Sequence, residues 1–299
     1  MHTSLSHSPV YPRLASSLLA LLLLVVSVHP AFAQRAERNV SDTVSMDANG
    51  TVYINNHDGA ITVTPWDRNE VQYEARITHK RQEGVDNTKI RVDASSSSLR
   101  LETDFDDVPR DGLWGGRSAP NVFYILKVPV DASIVIDDHE STIDIRDLTG
   151  DVEIDTHDGS MTLTNLRGDV EIDTHDGSME LTNLTGEVEI DTHDSDLRAT
   201  GLTGPFEIDT HDGDIDLTFA SLNGPITIDS HDARATITFP PGTGFNLTAD
   251  MGDDASIDVE PSLSVSKVRG GGMQGTANGG GPKIRVSSHD GDLQIREQG

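Results

Sequence analysis

Cysteine is absent from the 299-residue chain, which excludes disulfides, thiol catalysis and Cys-ligated zinc. Basic residues are scarce, since 22 Lys and Arg stand against 50 Asp and Glu, for a formal net charge of −28. Nucleic acids and anionic membrane surfaces attract clustered Lys and Arg, so neither is expected as a partner. Long apolar runs are missing after the first 33 residues, and the mature chain is therefore predicted to have no integral membrane segment.

The N-terminus has the pattern of a secretory signal peptide. Leu14–Val28 is an almost unbroken apolar run, too short for a membrane span, and the small-residue cleavage motif Ala31-Phe32-Ala33 follows it. Residues 1–33 are therefore predicted to be removed during export. The remaining chain is expected to be periplasmic, on the cell surface or secreted.

An internal repeat dominates the rest of the sequence. From Gly150 the chain reads GDVEIDTHDGSMTLTNLR, GDVEIDTHDGSMELTNLT, GEVEIDTHDSDLRATGLT and GPFEIDTHDGDIDLTFASLN. The histidine of the repeat recurs at a constant step of 18 residues and once more after 20. These histidines are His139, His157, His175, His193, His211 and finally His231. Two diverged copies flank the array in the sequence, TVYINNHDGAITV around His57 and KIRVSSHDGDLQI around His289.

Apolar and polar residues alternate on both sides of each His-Asp step. In one copy Glu171 separates the apolar Val170 and Ile172, and Glu180 separates Met179 and Leu181. This period of two is typical of strands with one face toward a core and one toward solvent. Because the mature chain has no helix-period segment of useful length, the sequence predicts an all-β fold.

Two all-β architectures fit this pattern. Asp-Gly between alternating runs is typical of a type I′ hairpin, which would give an antiparallel meander. However, Gly occurs in only five of the eight copies, and Ser141, Ser195 and Ala233 replace it in the others. The constant step favours a β-solenoid (β-helix) with coils of about 18 residues, in which like residues stack on like. The solenoid is the predicted fold.

Four segments are predicted along the chain: a signal peptide (1–33), a less regular N-terminal β region (34–130), regular solenoid repeats (131–240) and a C-terminal β cap (241–299). The cap is expected to include a Gly-rich loop, Gly270–Gly281, and a last strand pair between Ile284 and Ile295. The flanking regions are needed because stacked repeats must have their open ends covered. Strand candidates in the N-terminal region are Val52–Ile54, Ile61–Val63, Val71–Ile77, Ile90–Val92, Leu99–Leu101 and Val122–Val128. Loops are predicted at Asp104–Pro120, which contains Trp114, and at Asp253-Asp254.

The order of these motifs resembles a known family. Residues 126–136 read LKVPVDASIVI, a run of coils of the form G-x-[VI]-x-[IV] follows, and residues 238–257 close with TFPPGTGFNLTADMGDDASI. Over about residues 45 to 297 the chain resembles a bacterial β-strand-repeat family of unknown function described as "putative adhesins", related to the head-GIN type of auto-transporter adhesin. The resemblance implies a β-helical, extracytoplasmic protein with no established activity. It implies no catalytic residues and does not explain the His-Asp pair.

Stacked coils would align the His-Asp pairs into columns on the outside of the solenoid. If Val152 and Ile154 point inward, Glu153, Asp155 and His157 point outward by alternation. Carboxylates about 4.8 Å apart repel one another, so protons on neighbouring histidines or a bound cation would be needed to offset them. The first interpretation is that the pair has a structural role at the corner of each coil, where Asp caps the turn and His stacks along the column.

Metal binding is the second interpretation, because imidazole and carboxylate suit Zn and carboxylate columns can also hold Ca. Catalysis is the third, because paired carboxylates serve glycoside hydrolysis. An active site is a unique constellation, however, and here every coil offers the same groups. The candidate metal ligands are His139, His157, Asp158, His175, Asp176, His193, Asp194, His211, Asp212, His231 and Asp232.

The sequence therefore predicts an exported, non-enzymatic β-solenoid that serves as an adhesin or a structural surface protein. Its partner would be a surface, a glycan or a protein, and no catalytic or cofactor-binding residues are predicted. The alternative is a divalent-cation-binding scaffold that uses the stacked His-Asp columns, with Zn or Ca as the ion. A carbohydrate-active β-helix enzyme is the third hypothesis.

Overall fold

The computed structural model describes residues 35–110, 116, 118–252, 255–260, 264–269 and 272–299, with the backbone alone for 264–269. The predicted signal peptide, Trp114 and Asp253-Asp254 lie outside the described residues. No helix within the described ranges is long and apolar enough to cross a membrane.

Strands make up most of the described chain, and the fold is all-β as predicted. A short helix that the sequence does not predict, α1 (Gln82–Asn87), follows the fourth strand. The strands are β1 (Ala36–Ser45), β2 (Thr51–Asn55), β3 (Asp58–Trp66), β4 (Glu70–His79), β5 (Lys89–Ala94), β6 (Ser98–Asp104), β7 (Asn121–Pro129), β8 (Ser133–Asp137), β9 (Glu140–Arg146), β10 (Val152–Thr156), β11 (Asp158–Thr164), β12 (Val170–Thr182), β13 (Val188–Thr203), β14 (Phe206–Asp212), β15 (Asp214–Ser221), β16 (Ile226–Ser230), β17 (Arg234–Phe239), β18 (Phe245–Met251), β19 (Ile257–Val259), β20 (Ser264–Arg269), β21 (Gly272–Ala277), β22 (Lys283–Ser288) and β23 (Leu293–Glu297).

Successive repeats stack as parallel strands. Val152 of β10 lies beside Val170 of β12, which in turn lies beside Val188 of β13, so each residue meets its counterpart in the next repeat. Parallel pairing between repeats excludes the antiparallel meander, and the predicted solenoid-like stacking is confirmed. The six strand candidates of the N-terminal region are also confirmed, as parts of β2 to β7.

Two parallel faces run along the stack, joined at the His-Asp corners. The strands that precede the corner form the first face, in the order β6, β2, β8, β10, β12, β13, β14, β16, β22, β18. The strands that follow the corner form the second face, in the order β7, β3, β9, β11, β12, β13, β15, β17, β23, β19. The strands β12 and β13 turn the corner without interruption and belong to both faces.

The two diverged copies of the repeat lie inside the stack, although they flank the array in the sequence. Strand β2 lies between β6 and β8, and β3 lies between β7 and β9. At the other end, β22 lies between β16 and β18, and β23 lies between β17 and β19. The outermost parallel layers are therefore formed by segments that carry no His-Asp motif.

Antiparallel strands continue the sheet beyond both outermost layers. At one end β5 pairs with β6, β4 pairs with β7, and β1 pairs with β4. At the other end β21 pairs with β18, and β20 pairs with β21. The prediction of a loop throughout Gly270–Gly281 is wrong for Gly272–Ala277, because β18 supplies backbone partners that the local composition does not reveal. Residues 278–281 form the turn that follows β21, and residues 270–271 lie outside the described residues.

The interior between the two faces is filled by the apolar half of the alternation. Val152, Ile154 and Leu163 are all buried, with like residues above and below them. The core also holds a column of buried hydroxyls, because the residue before each corner histidine in the regular repeats is a threonine that points inward. These threonines are Thr156, Thr174, Thr192 and Thr210.

Candidate functional site

The corner of each repeat turns the histidine outward. In the regular repeat, Thr156 is buried and its hydroxyl donates to the carbonyl of Asp158, 3.2 Å away, on the far side of His157. Thr210 makes the same bond to the carbonyl of Asp212 at 2.9 Å. Since side chains alternate along the strand, fixing the threonine inward leaves the histidine facing solvent.

Backbone hydrogen bonds set the spacing from one corner to the next. The amide of Asp176 donates to the carbonyl of His157 at 3.0 Å, and the amide of Asp158 donates to that of His139 at 2.8 Å. The diverged copies use the same bond, since the amide of Asp290 donates to the carbonyl of His231 at 2.9 Å. The imidazoles are thereby held at the strand spacing of about 4.8 Å.

All eight motif histidines form one continuous ladder of stacked rings, here called the histidine ladder. Neighbouring ring centroids lie between 4.6 and 5.2 Å apart, and neighbouring planes are inclined by 2° to 10°. The order along the ladder is His57, His139, His157, His175, His193, His211, His231 and His289. Sequence reasoning placed His139 to His231 in the site but left out His57 and His289, although their HDG triplets were the available signal.

In seven of the eight motifs within the described chain, the aspartate that follows the histidine lies against its ring. The Nδ1 atoms lie 3.0 to 3.3 Å from these carboxylates, at His57, His157, His175, His193, His211, His231 and His289. Each aspartate can therefore accept an Nδ1 proton and orient the ring, which directs Nε2 toward solvent.

The two ends of the ladder differ. At the first end, Phe105 meets His57 edge-on, with ring centroids 5.3 Å apart and planes at 88°, and the His57 side chain is 39% exposed. At the other end, His289 stacks on His231 alone among the described residues, and its side chain is 71% exposed. Gly252 of the adjoining layer has no side chain to cover it. Within the described part of the chain, the ladder is therefore closed at His57 and open at His289.

The structure brings some of the predicted metal ligands into compact groups. Within the described residues two groups of potential ligand atoms lie within 4.8 Å of one another: His193, Asp194 and His211, and His231, Asp232 and His289. The other predicted ligands belong to neither group; they are His139, His157, Asp158, His175, Asp176 and Asp212.

A column of aspartates runs beside the histidine ladder on the first face, as the alternation predicts. Asp137, Asp155, Asp173, Asp191, Asp209 and Asp229 lie side by side. Partial burial, and then the charges of Asp173 and Asp137, raise the pKa of Asp155. The pKa of Asp209 is raised by partial burial and then by Asp229 and Asp191. The column therefore holds negative charge at a cost in free energy.

Acidic side chains also form a groove along the outer edge of the first face. Its lining includes Asp151, Asp169 and Glu187 in one row and Glu153, Glu171 and Glu189 in the next. The first row is fixed to the backbone, because Oδ1 of Asp151 accepts from the amide of Asp169 at 3.0 Å and Oδ1 of Asp169 accepts from that of Glu187 at 2.9 Å. This face presents regularly spaced anionic groups.

One carboxyl group near the ladder is buried. Asp138 occupies the position that threonine holds in later repeats, is only 7% exposed, and accepts a hydrogen bond from the Ser141 hydroxyl at 2.7 Å. Ser141 in turn contacts Asn56, which accepts from the hydroxyl of Thr103. Burial, and to a smaller extent the charge of Asp58, raises the pKa of Asp138 to about 6, while the hydrogen bonds from Ser141 and His139 act in the opposite direction. Sequence reasoning missed this group because Asp137-Asp138 reads as an exposed acidic pair.

The fold and the ladder define an all-β, solenoid-like protein whose repeats share one outward motif. Residues 50–296 match the model of the Toastrack DUF4097 family, a domain family of unknown function, and the chain belongs to that family. No curated protein matches the sequence.

Several solved structures match most of the chain at low sequence identity. A "putative adhesin" from Bacteroides fragilis is 12% identical, with 87% of this chain and 97% of that chain covered and a TM-score of 0.41. A "putative lipid binding protein" from Parabacteroides distasonis is 9% identical, with coverage of 88% and 97% and a TM-score of 0.35. A "putative adhesin" from Parabacteroides merdae is 9% identical, with the same coverage and a TM-score of 0.31. At these identities the likeness does not define what this chain binds.

Proposed function

We propose that the mature chain is an exported, non-enzymatic scaffold that presents its repeated faces as an adhesive or structural surface. The observation that carries this proposal is the uniformity of the histidine ladder, in which successive rings stack with nearly the same separation and tilt. A surface built by repetition gains strength from many equal contacts, each of which can be individually weak.

Uniformity also argues against an active centre. Acid–base catalysis needs carboxyl groups whose environments push their pKa values apart, and the aspartates of the column are equivalent by position. Asp138 has a different environment from the aspartates of the column, but it is buried and its carboxylate accepts a hydrogen bond from the Ser141 hydroxyl. A buried, internally bonded carboxyl group is poorly placed to reach a polysaccharide.

The charge of the faces favours a partner that carries basic groups. The acidic groove and the aspartate column lie on the same face, and the chain as a whole has a formal net charge of −28. Complementary charge steers association and raises the on-rate, an effect that weakens with added salt. A basic protein surface, or a glycan that bears amino groups, is therefore the proposed partner class.

Charge-matched variants test this proposal. One variant carries Glu153→Gln, Glu171→Gln and Glu189→Gln in the groove, and the control carries Asp144→Asn, Glu180→Gln and Asp216→Asn on the second face. Binding is measured by surface plasmon resonance against arrays of glycans and basic proteins. We expect only the groove variant to weaken binding, by about tenfold or more. Equal loss in both variants, or no binding by the unmodified chain, would overturn the proposed surface, and turnover of a polysaccharide would overturn the non-enzymatic role.

Export, the segment boundaries and the relation to head-GIN adhesins are further parts of this proposal. The side-by-side register of Val152, Val170 and Val188 supports coils of about 18 residues, with the flanking β regions as caps. Export predicts a mature N-terminus at Gln34, which mass spectrometry of the protein recovered from the periplasm, cell surface and medium would reveal. An uncleaved chain retained in the cytoplasm would contradict it.

A further inference from the structure

We propose that the open end of the histidine ladder, formed by His231, Asp232 and His289, is a binding site for one divalent transition-metal ion of the zinc class. The site goes beyond the scaffold function and does not depend on it. Ligand atoms of these three residues lie within 4.8 Å of one another, although His289 is separated from the other two by more than fifty residues of sequence.

The donor set selects the class of ion. Two imidazole nitrogens and one carboxylate oxygen suit zinc and its neighbours in the first transition row better than Ca²⁺ or Mg²⁺, which prefer oxygen ligands. Three protein ligands with water in a fourth position complete a tetrahedral zinc shell. Asp290, whose carboxylate lies 3.2 Å from Nδ1 of His289, adds a second negative charge beside the ion.

Ring spacing explains why the whole ladder does not bind metal equally. Zn–N bonds are about 2.0–2.1 Å long, so two nitrogens on one ion are at most about 4.2 Å apart. The rings of His231 and His289 are 5.0 Å apart at their centroids and nearly parallel, with an angle of 8° between them. One ring must therefore tilt toward the other when the ion binds.

Only the open end allows this tilt without breaking a second stack. The interior group of His193, Asp194 and His211 has the same kinds of donor, but each of its rings is stacked on both sides. Tilting either ring toward its partner there would open the contact on its other side. Among the described residues His289 has one stacked neighbour, and its side chain is 71% exposed, so its ring can tilt without breaking a second stack.

The closed end of the ladder lacks this freedom. His57 stacks on His139 on one side and meets the edge of Phe105 on the other, with centroid separations of 4.6 and 5.3 Å. In the part of the chain that the structure describes, His57 belongs to neither compact group of ligands. The two ends of one ladder therefore provide an internal comparison.

Calorimetric titration of Zn²⁺ into the metal-stripped mature protein at neutral pH tests the proposal. We expect one dominant site per chain with a dissociation constant of about 10 µM or tighter. His289→Ala and Asp232→Asn should each weaken it by about tenfold or more, and the matched interior variant His193→Ala should leave it within about twofold. Circular dichroism establishes that each variant is folded.

Imidazole resonances provide a second readout that does not depend on a variant. On addition of Zn²⁺ the ring signals of His231 and His289 should shift first, and those of His57 should not move at the same metal ratio. No binding tighter than about 100 µM, equal losses in His193→Ala and His289→Ala, or simultaneous shifts along the whole ladder would each overturn the site. Partner binding is measured separately in the presence of chelator, so failure of the metal site is distinguishable from failure of the scaffold function.

Discussion

His289 stacks on His231 with ring centroids 5.0 Å apart, although four strands, β18 to β21, separate their two motifs in the sequence. The contact exists because β22 is inserted between β16 and β18. A diverged copy that enters the stack must meet a regular neighbour on one side. In this position His289 continues the column of stacked rings formed by the regular repeats.

Truncation of a stacked core residue should destabilise the chain strongly. Leu163 is completely buried between Ile145 and Leu181 of the adjoining repeats. Leu163→Ala removes buried methyl groups and leaves a cavity, so we expect a loss of about 2–5 kcal/mol in the free energy of unfolding. Thr162→Ala, on the exposed side of the same strand, should change it by no more than about 0.5 kcal/mol. Urea denaturation measures the free energy of unfolding of both variants. Equal losses would contradict the assignment of Leu163 to the core and Thr162 to the solvent side of the strand.

Asp138 should make stability fall as the pH rises from about 4 to about 6. Its pKa is about 6 in the fold against an ordinary value of 3.8, so the folded state binds more protons than the unfolded state in this window. Stability from this group is therefore fully present below the ordinary pKa and is lost as the pH rises through the folded pKa. The difference is on the order of 2–3 kcal/mol.

Asp138→Thr, which installs the residue found in the regular repeats, tests this directly. We expect the variant to be more stable than the wild type at pH 7.5 and to lose most of that advantage at pH 4, because Asp138 is then neutral. Thermal unfolding of both proteins across this range gives the comparison. An advantage that is the same at both pH values would show that the charge is not the cause.

Asn183 should be sensitive to backbone conformation. It adopts a left-handed backbone with φ of 56°, and its side-chain amide donates to Oδ1 of Asn165 at 2.9 Å. Asn183→Gly loses the side-chain bond, whereas Asn183→Ala loses the bond and also strains the backbone by about 1–2 kcal/mol. The expected order of stability is wild type, then Gly, then Ala. Chemical denaturation would refute this account if Ala were as stable as Gly.

Gly177 should not tolerate a side chain. Its φ is +145°, and a Cβ atom there would lie 2.0 Å from the carbonyl oxygen of Gly159. Gly177→Ala is expected to cost at least about 2 kcal/mol. In the next repeat the equivalent residue is Ser195, whose hydroxyl accepts a bond from Thr192 at 2.7 Å, so Ser195→Ala should cost only about 1 kcal/mol. An equal fall in melting temperature in both variants would contradict this difference between the corner at Gly177 and the corner at Ser195.

Several features followed from the sequence because they depend on local pattern. The alternation around Val152 and Ile154 determined which residues face inward, and the constant repeat length determined that Asp155 lies beside Asp173. Stacked identical repeats leave little choice of register, because a slip of one residue would bury the charged row. The column of histidines from His139 to His231 was therefore predictable.

Other features were decided by tertiary structure alone. Strand alternation specifies the face of a residue but not the identity of its neighbour, so nothing local places β2 between β6 and β8 or β22 between β16 and β18. The burial of Asp138 could not be predicted for the same reason, because its local partner Ser141 is contacted by Asn56 from a distant segment. The sequence determined the repeat and its outward motif, and long-range strand pairing decided that His57 and His289 are the two ends of the ladder.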